Sequence, residues 1–420
     1  MNIKTLTENY SNDIGPMIGT EAQKSAFSSF KTRGLPHTKM EDWLYTKTHD
    51  ILPLNFEKVS EKGLLKSVKV AGKYQIVFLN GKYSKVDSFF PEEISVELVY
   101  EDNLQLDEYK ESKDDIFAML NASASSELIH IQVPKNFKAD DNITIVHLSS
   151  FESSFATPRI HIEVDKFAEV DFVEYFTGDD NKAYNNISVT TFELATGAHS
   201  KHIKVQAEGN KAFHVGSLYA NIAKDANFKS FTFNTGALKA RHNLQVFLNE
   251  AGAEASVDGL YTLNGKQHCD NFSLIKHVAA HTNSSQLFKG VLDDSSRGIF
   301  TGKVYVNRDA QQVNSEQLNK NLLLTKKAHV DTRPQLEVYA DDVKCAHGAT
   351  VGQMSDEEAF YLQSRGLSRE RAQKLLIHAF CSETILKIED DQIEKFLSEI
   401  LFESFEKETF EHIDTQEIKS

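Results

Sequence analysis

Cysteine is scarce in this sequence, which has only Cys269, Cys345 and Cys381 among 420 residues. Because the number is odd and the three residues lie far apart, they do not form the disulfide framework of a small secreted domain. Unpaired thiols are typical of a reducing compartment, so we expect a cytoplasmic protein. The first residues lack a basic segment followed by an apolar one, and no signal peptide is predicted.

Long hydrophobic runs and an excess of basic residues are also missing. No run of about 18 apolar residues occurs, which argues against a membrane-spanning helix and against a membrane partner. Proline (7 residues) and glycine (20 residues) are modest in number, which excludes collagen-like and linker-like chains. The formal net charge of −15 repels phosphate backbones, so nucleic acid is not an expected partner.

The common enzyme signatures are absent too. Gly302-Lys303 is followed by Val304 instead of Ser or Thr, and no glycine precedes Gly302 by five residues, so there is no nucleotide-binding P-loop. The sequence contains no HExxH, GxSxG or CxxC motif and no GxGxxG that opens a helix. We therefore expect a non-catalytic chain that binds no nucleotide itself.

Three regions differ in their hydrophobic patterns: residues 1–66 are predicted to be helical, 67–351 to form a β core, and 352–420 to be helical again. In the first region, residues 19–34 have a helical pattern that ends at a glycine. The only tryptophan, Trp43, is interpreted as a packing anchor against the next domain.

The β core consists of short segments such as YQIVFLNG, RIHIEVD and HIKVQAEG, rich in Val, Ile, Phe and Thr and separated by small turn residues. We find no helix-length pattern among them. Turn pairs recur at Gly197-Ala198, Asp225-Ala226, Gly252-Ala253 and Asp309-Ala310. The fold that accounts best for this region is mainly β: a β-solenoid, in which each turn buries its apolar side chains against the next turn. A pair of β-sandwiches is the alternative.

Capped amphipathic helices are predicted at the C-terminal end of the chain. Ser355 and Glu358 form a capping-box pattern. The following segment places apolar residues at helical spacing, namely Ala372, Leu375, Leu376, Ala379 and Phe380. A third helix has the same pattern around Ile393 and Leu397. These helices either cover an open edge of the β core or offer an apolar face to a partner.

Two groups of residues are candidates for metal chemistry. His277 and His281 lie four apart, but they are interpreted as hydrogen-bonded structural histidines, and Cys269 as a half-buried thiol. Cys345 and His347 lie two apart, so in an extended chain they project from one face and suit iron or zinc. Two ligands do not close a metal site, and a polar turn is the competing interpretation.

Three segments resemble the SufB/SufD family of iron–sulfur cluster assembly proteins. Residues 333–380, RPQLEVYADDVKCAHGATVGQMSDEEAFYLQSRGLSRERAQKLLIHAF, resemble the family's C-terminal signature, and residues 281–306, HTNSSQLFKGVLDDSSRGIFTGKVYV, its central region. Residues 34–46, GLPHTKMEDWLYT, resemble the N-terminal region of the SufD branch. The chain length and the C-x-H motif also favour the SufD branch over SufB.

The resemblance implies a right-handed parallel β-helix with helical regions at both ends. It implies a SufBCD complex with the paralogue SufB and the ATPase SufC, in which ATPase activity belongs to SufC. A homodimer through the SufB surface is expected when the chain is isolated. SufC would dock on the C-terminal helices, where Leu375, Leu376, Ala379 and Phe380 are the candidate contacts.

The resemblance also implies a metal role for the C-x-H motif. A transient iron–sulfur cluster would form at the interface with SufB, with His347 and its neighbour Cys345 as this chain's half of the site. A purely structural adaptor that holds SufB and SufC without contacting iron remains an alternative. A secreted carbohydrate-active β-helix enzyme is disfavoured, because no signal peptide is predicted and Asp341-Asp342 lies at the end of the β region instead of along the wall of a groove.

Overall fold

The computed structural model describes residues 3–15, 18–48, 68, 70–100, 115–125 and 127–413. Two long β-sheets face each other, and the chain alternates between them as it advances, so that the core is a β-solenoid of about eight turns. The predicted boundary between residues 66 and 67 lies outside the described residues. The solenoid replaces the alternative of two sandwiches because, apart from two strands near the N-terminal end, each described strand pairs in parallel with a strand one turn away.

The first sheet, sheet I, has its strands in the spatial order β2 (Lys82–Phe89), β1 (Tyr74–Leu79), β5 (Ile143–Ser149), β8 (Glu169–Gly178), β10 (His199–Ala207), β12 (Asn227–Asn234), β14 (Glu254–Leu263), β16 (Asn283–Leu292), β18 (Val313–Leu323) and β20 (Val343–Gln353). Sheet II has the order β3 (Ser95–Tyr100), β4 (Glu127–Val133), β7 (Arg159–Val164), β9 (Asn185–Leu194), β11 (Phe213–Ile222), β13 (Lys239–Leu248), β15 (His268–His277), β17 (Arg297–Val306) and β19 (His329–Val338), with the short β6 (Phe155–Ala156) beside β9.

The register between turns is regular. Among strands from β4 onward, partner residues on neighbouring parallel strands are separated by 26 residues at the shortest, from Phe213 to Lys239, and by 32 at the longest, from Arg297 to His329. Among the strands of the described residues, only β2 and β3, near the N-terminal end, run antiparallel to their neighbours. A regular parallel register stacks equivalent side chains in columns along the solenoid axis, and these columns place the site described below.

Three of the four recurring turn pairs form one such column, and Asp309-Ala310 does not share its left-handed conformation. Gly197, Asp225 and Gly252 adopt left-handed backbone conformations with φ of 68°, 54° and 77°, and each donates its N–H to a carbonyl of the next turn. The alanine that follows each of them is fully buried. His281 occupies the same column with φ of 58°. The small residues are therefore explained by a tight corner followed by a side chain that enters the core.

Helices cover the outer faces of both sheets. On sheet II lie α1 (Ile3–Ile14), α2 (Glu21–Arg33), a 3-10 turn at Glu41–Trp43 and α3 (Ile116–Ala124). On sheet I lie α5 (Arg369–Ile385), a 3-10 turn at Leu386–Ile388 and α6 (Asp391–Ile413), whereas α4 (Asp356–Ser364) contacts α5. No helix among the described residues has the length and hydrophobicity that a membrane crossing requires.

Helix α3 corrects the expectation that the β region contains no helix. All nine of its residues are buried, so it lacks the polar face that produces an amphipathic pattern in the sequence. Asp115 caps its N-terminus by accepting from the backbone N–H groups of Phe117 and Ala118. Trp43 stacks on Phe117 with ring centroids 5.3 Å apart and lies under the guanidinium of Arg241, which confirms its role as a packing anchor.

Candidate functional site at the open end of the solenoid

Strand β20 ends sheet I and carries Cys345 and His347. It pairs with β18 on one side, and no described strand pairs with its other edge. Most of its side chains are exposed, including His347. An uncovered edge of 11 residues presents a row of free backbone donors and acceptors, which is a ready template for pairing with another chain.

Cys345 and His347 project toward the interior side of the solenoid end. Their register partners on β18 are Ser315 and Gln317, which are both buried inside. Two residues apart on one strand, the thiol and the imidazole lie on the same face with Cα atoms about 7 Å apart. The interpretation of this segment as a polar turn is therefore wrong, because it is a strand whose C-x-H residues share a face.

Cys345 is half-buried and packs against an apolar cluster that includes Val304, Val306 and Val313. This burial raises the pKa of the Cys345 thiol above its ordinary value, because the apolar surroundings disfavour the thiolate. A metal ion that takes Cys345 as a ligand must therefore displace a proton. The neighbouring imidazole of His347 is exposed.

Hydrogen-bonded side chains continue inward from this end. Gln317 donates to the side-chain oxygen of Gln286 at 2.6 Å, and Gln286 donates to Ser273 at the same distance. The amide oxygen of Gln317 is itself buried and has no hydrogen-bond partner among the described residues. This leaves a free acceptor at the register position directly beside His347.

His277 belongs to a second chain of contacts toward the same end. Its ring nitrogens lie 2.7 Å from Thr282 Oγ1 and 2.9 Å from Ser284 Oγ, and Ser284 in turn contacts Ser315 at 2.8 Å. Burial lowers the pKa of His277 to about 4. The prediction of a satisfied structural histidine is confirmed for His277. Cys269, expected to be half-buried, is in fact fully buried, and burial raises the pKa of its thiol to about 12.

The structure separates the four candidate docking residues of α5 into two groups. Leu375 and Ala379 are exposed, and Leu375 retains 49% of its accessible surface. Leu376 and Phe380 are partly buried, and Phe380 packs on the cluster that joins α5 to sheet I. The Lys289 ammonium lies 4.4 Å from the Phe380 ring centroid and donates to the Phe380 carbonyl at 2.8 Å. Phe380 therefore also attaches the helix to the solenoid.

Sequence patterns did not reveal a buried ionic cluster in the middle of the solenoid. Glu174 lies within 3.0 Å of His147 and 2.8 Å of His202, and its carboxylate is almost fully buried. Burial alone raises the pKa of Glu174, but hydrogen bonds to the two imidazoles outweigh it and hold the pKa well below its ordinary value. In the same column, one turn further along, Lys204 contacts His214 at 2.8 Å and His242 at 3.3 Å.

Comparison with known proteins now identifies the family. A family model described as the SufBD core domain of SUF-system FeS cluster assembly matches residues 146–380. The SufD iron–sulfur cluster assembly protein of Escherichia coli is 30% identical over 392 residues, which cover 91% of this chain and 92% of the relative. The chain belongs to the SufBD family.

Two further relatives also match over long parts of this chain. A SufBD family iron–sulfur cluster assembly protein of Synechocystis is 30% identical over 382 residues, covering 84% of both chains. The chloroplastic protein ABCI7 of Arabidopsis thaliana is 30% identical over 288 residues, covering 66% of this chain and 61% of the relative. The family match includes the interior columns of the solenoid, strand β20 and most of α5.

Proposed function

We propose that this chain is a scaffold subunit for iron–sulfur cluster assembly that supplies half of a cluster site from its open end. The observation that carries the proposal is β20, where His347 and Cys345 share one face of an edge strand that no described strand covers. The cluster is the cargo, and the remaining ligands come from a partner whose own strand continues sheet I.

The chemistry of the two donors fits iron. A thiolate and an imidazole suit iron and zinc, and two ligands leave the remaining coordination positions to a second subunit. The unpartnered amide oxygen of Gln317 provides an acceptor for one ring N–H of His347, which orients the other ring nitrogen toward a metal. An incomplete site on an exposed strand suits a cluster that is assembled and then released.

A SufB-type paralogue is the partner that the open end suits best. Its solenoid would present a strand of matching register, and both backbone hydrogen bonding and apolar contact would hold the pair together. Val338, Tyr339 and Val351, near the ends of β19 and β20, are exposed apolar residues that such an interface would cover. The same edge explains why the isolated chain would form a homodimer.

The test is anaerobic co-purification of the chain with SufB and SufC, followed by measurement of iron and sulfide per complex. His347→Ala is expected to leave the complex intact and to reduce bound iron and sulfide at least about tenfold, and Cys345→Ala to reduce them less. The matched control is Lys344→Ala, which lies on the same strand with an exposed side chain on the opposite face.

Two outcomes decide between direct participation and a purely structural adaptor. An unchanged iron and sulfide content in His347→Ala, with the complex intact, contradicts the half-site and favours the adaptor. Loss of the complex in His347→Ala but not in Lys344→Ala would instead assign His347 to the interface.

For the ATPase, we propose that SufC docks on the exposed face of α5. Leu375→Asp and Ala379→Asp are expected to abolish co-elution with SufC, because each places a charge in an apolar contact. For Leu375 the lost burial of the side chain alone is worth about 1.5–3 kcal/mol. Phe380→Asp is a poor test, since it would also detach the helix. The control is Phe402→Asp, which alters an exposed apolar residue on α6. Retained co-elution of both α5 variants would refute this docking surface.

A further inference from the structure

A pair of imidazoles and one carboxylate converge on the outer face of sheet II, near the N-terminal end of the solenoid. The residues are His130 on β4 and His161 with Glu163 on β7, and their ligand atoms all lie within 4.8 Å of one another. His130 and His161 are register partners on adjacent parallel strands, and Glu163 follows His161 on the same face. The sequence contains the signal as a repeat, IHIQV at residues 129–133 and IHIEV at residues 160–164.

The distances suit a coordination shell. Oε1 of Glu163 lies 3.3 Å from Nε2 of His130 and 3.2 Å from Nε2 of His161. Ligands held at about 2.0–2.1 Å from a tetrahedral zinc ion are separated from each other by about 3.3 Å. The Nε2 atom of His130 is shielded from solvent and has no hydrogen-bond partner among the described residues, although it faces the carboxylate.

Neighbouring side chains hold the three groups in the orientation that a metal needs. Thr191 donates its hydroxyl proton to the Ile160 carbonyl, so its oxygen accepts from Nδ1–H of His161 at 2.8 Å. With the proton on Nδ1, the Nε2 lone pair of His161 is directed at the site, 3.2 Å from Oε1 of Glu163. Gln132 donates to the other carboxylate oxygen of Glu163 at 3.2 Å, which leaves Oε1 for the histidines. Such partners of the ligands are the usual support of a metal centre.

We propose that His130, His161 and Glu163 form a binding site for a divalent first-row transition metal ion, with the remaining coordination positions open to water. Two imidazoles and one carboxylate are the donor set of non-haem iron(II) and of catalytic zinc sites. The three side chains are partly exposed, with 20%, 11% and 44% of their surfaces accessible, so an ion can enter and leave.

This site is separate from the open end. Seven inter-strand steps separate the turn of β4 from the turn of β19 and β20, which is roughly 30 Å at about 4.8 Å per step. The proposed metal site therefore does not depend on the half-site at His347, and a negative result for either site leaves the other unaffected.

The test is titration of the tag-free chain with Co²⁺ at neutral pH, read by visible absorption and by calorimetry, with Zn²⁺ as the competing ion. A His347→Ala background removes any contribution from the open end. One equivalent of Co²⁺ is expected, displaced by Zn²⁺. His130→Ala and Glu163→Gln are expected to weaken the affinity for Co²⁺ at least about a hundredfold. Thr191→Val is expected to weaken it about tenfold, because Thr191 orients His161.

The matched control is His329→Ala. His329 and Asp331 also lie two apart on an exposed strand, 3.4 Å from each other, but no second imidazole joins them among the described residues. This variant is expected to bind Co²⁺ as the parent does. Far-UV circular dichroism and melting temperature verify that each variant is folded. The proposal is overturned if the parent binds no Co²⁺, or if folded His130→Ala and Glu163→Gln both retain the full equivalent.

Discussion

Replacement of Lys204 by methionine tests whether a charged amine is held inside the solenoid. The side chain is buried between the two sheets, with its ammonium near His214, His242 and the ring of Phe176. Burial lowers the pKa of Lys204 from 10.5 to about 8, and the attraction of Glu174 and other anions offsets only part of that effect. Methionine keeps the length and apolar stem of the side chain and removes the titrating group.

The magnitude follows from the difference between the two pKa values. In the unfolded chain the amine stays protonated up to pH 10.5, whereas in the folded protein it loses its proton near pH 8. Between these values the unfolded state binds more protons, so this group makes the free energy of unfolding rise with pH. The full difference amounts to about 3 kcal/mol, of which about 2 kcal/mol develops between pH 7 and pH 9.5.

The assay is chemical unfolding followed by circular dichroism at pH 7 and pH 9.5. The free energy of unfolding of Lys204→Met relative to the parent is expected to fall by about 2 kcal/mol over this interval, because only the parent gains from deprotonation. The difference in unfolding free energy between variant and parent cancels the effect of buried cysteines and tyrosines, because both proteins contain them. Lys211→Met, at an exposed lysine, is the control and should show no pH-dependent difference. The reasoning is refuted if the Lys204→Met difference is the same at both pH values.

Two further predictions concern other buried groups. His277 has a pKa of about 4 in the folded protein, so the unfolded state binds more protons as pH falls below 6.5, and stability is lost in that range. The parent should lose about 2 kcal/mol relative to His277→Gln between pH 7 and pH 5 in the same unfolding assay, and equal losses would contradict the buried neutral imidazole. Lys289→Met should loosen α5 and accelerate its amide hydrogen exchange while the solenoid strands remain protected, because Lys289 bonds the Phe380 carbonyl and pairs with Glu383. Lys320→Met, whose own contact with Glu383 is 3.4 Å long and exposed, should have little effect, and similar exchange in both variants would refute the anchoring role.

The buried ionic cluster around Glu174 and Lys204 bears on the candidate half-site at the open end. Buried polar groups cost stability unless they are paired, and here histidines, a lysine and carboxylates pair inside a tube whose ends are far apart. One of their columns, that of His202, continues to Gln286, Gln317 and His347 at the open end. From β10 onward, the column that ends at the candidate half-site therefore carries a polar side chain on every strand except β14, where Val257 stands.

Much of the local structure was predictable from the sequence because its causes are local. The capping box of α2 at Thr20, the cap of α4 at Ser355 and the stop at Gly34 depend on residues within one turn of the helix. The buried stripe of α6, which includes Ile393 and Leu397, follows from helical spacing alone. Helix α3 was missed because a segment that is apolar all round carries no period.

The sites show a similar division. That Cys345 and His347 share a face is a property of any strand, and sequence spacing is enough to predict it. The pair is uncovered because β20 is the last strand of its sheet. Its place at the end depends on the number of turns before it and on helix α4, which follows it in place of another strand. His130 and His161 are 31 residues apart and meet only through the register between their two strands. The spacing of residues within one strand does not define that register.

Strand β10 shows most clearly what only the tertiary structure decided. Its alternating residues His202, Ile203, Lys204, Val205 and Gln206 predict two faces, and the usual assignment places the apolar face inside. Instead Ile203 and Val205 face outward and pack beneath α5 and α6, whereas the polar residues face the interior. Alternation by itself determines that two faces exist, because successive side chains point to opposite sides of a strand. Which face is the interior was decided by helices more than 150 residues later in the chain, which cover the apolar side and leave the charged side to pair within the tube.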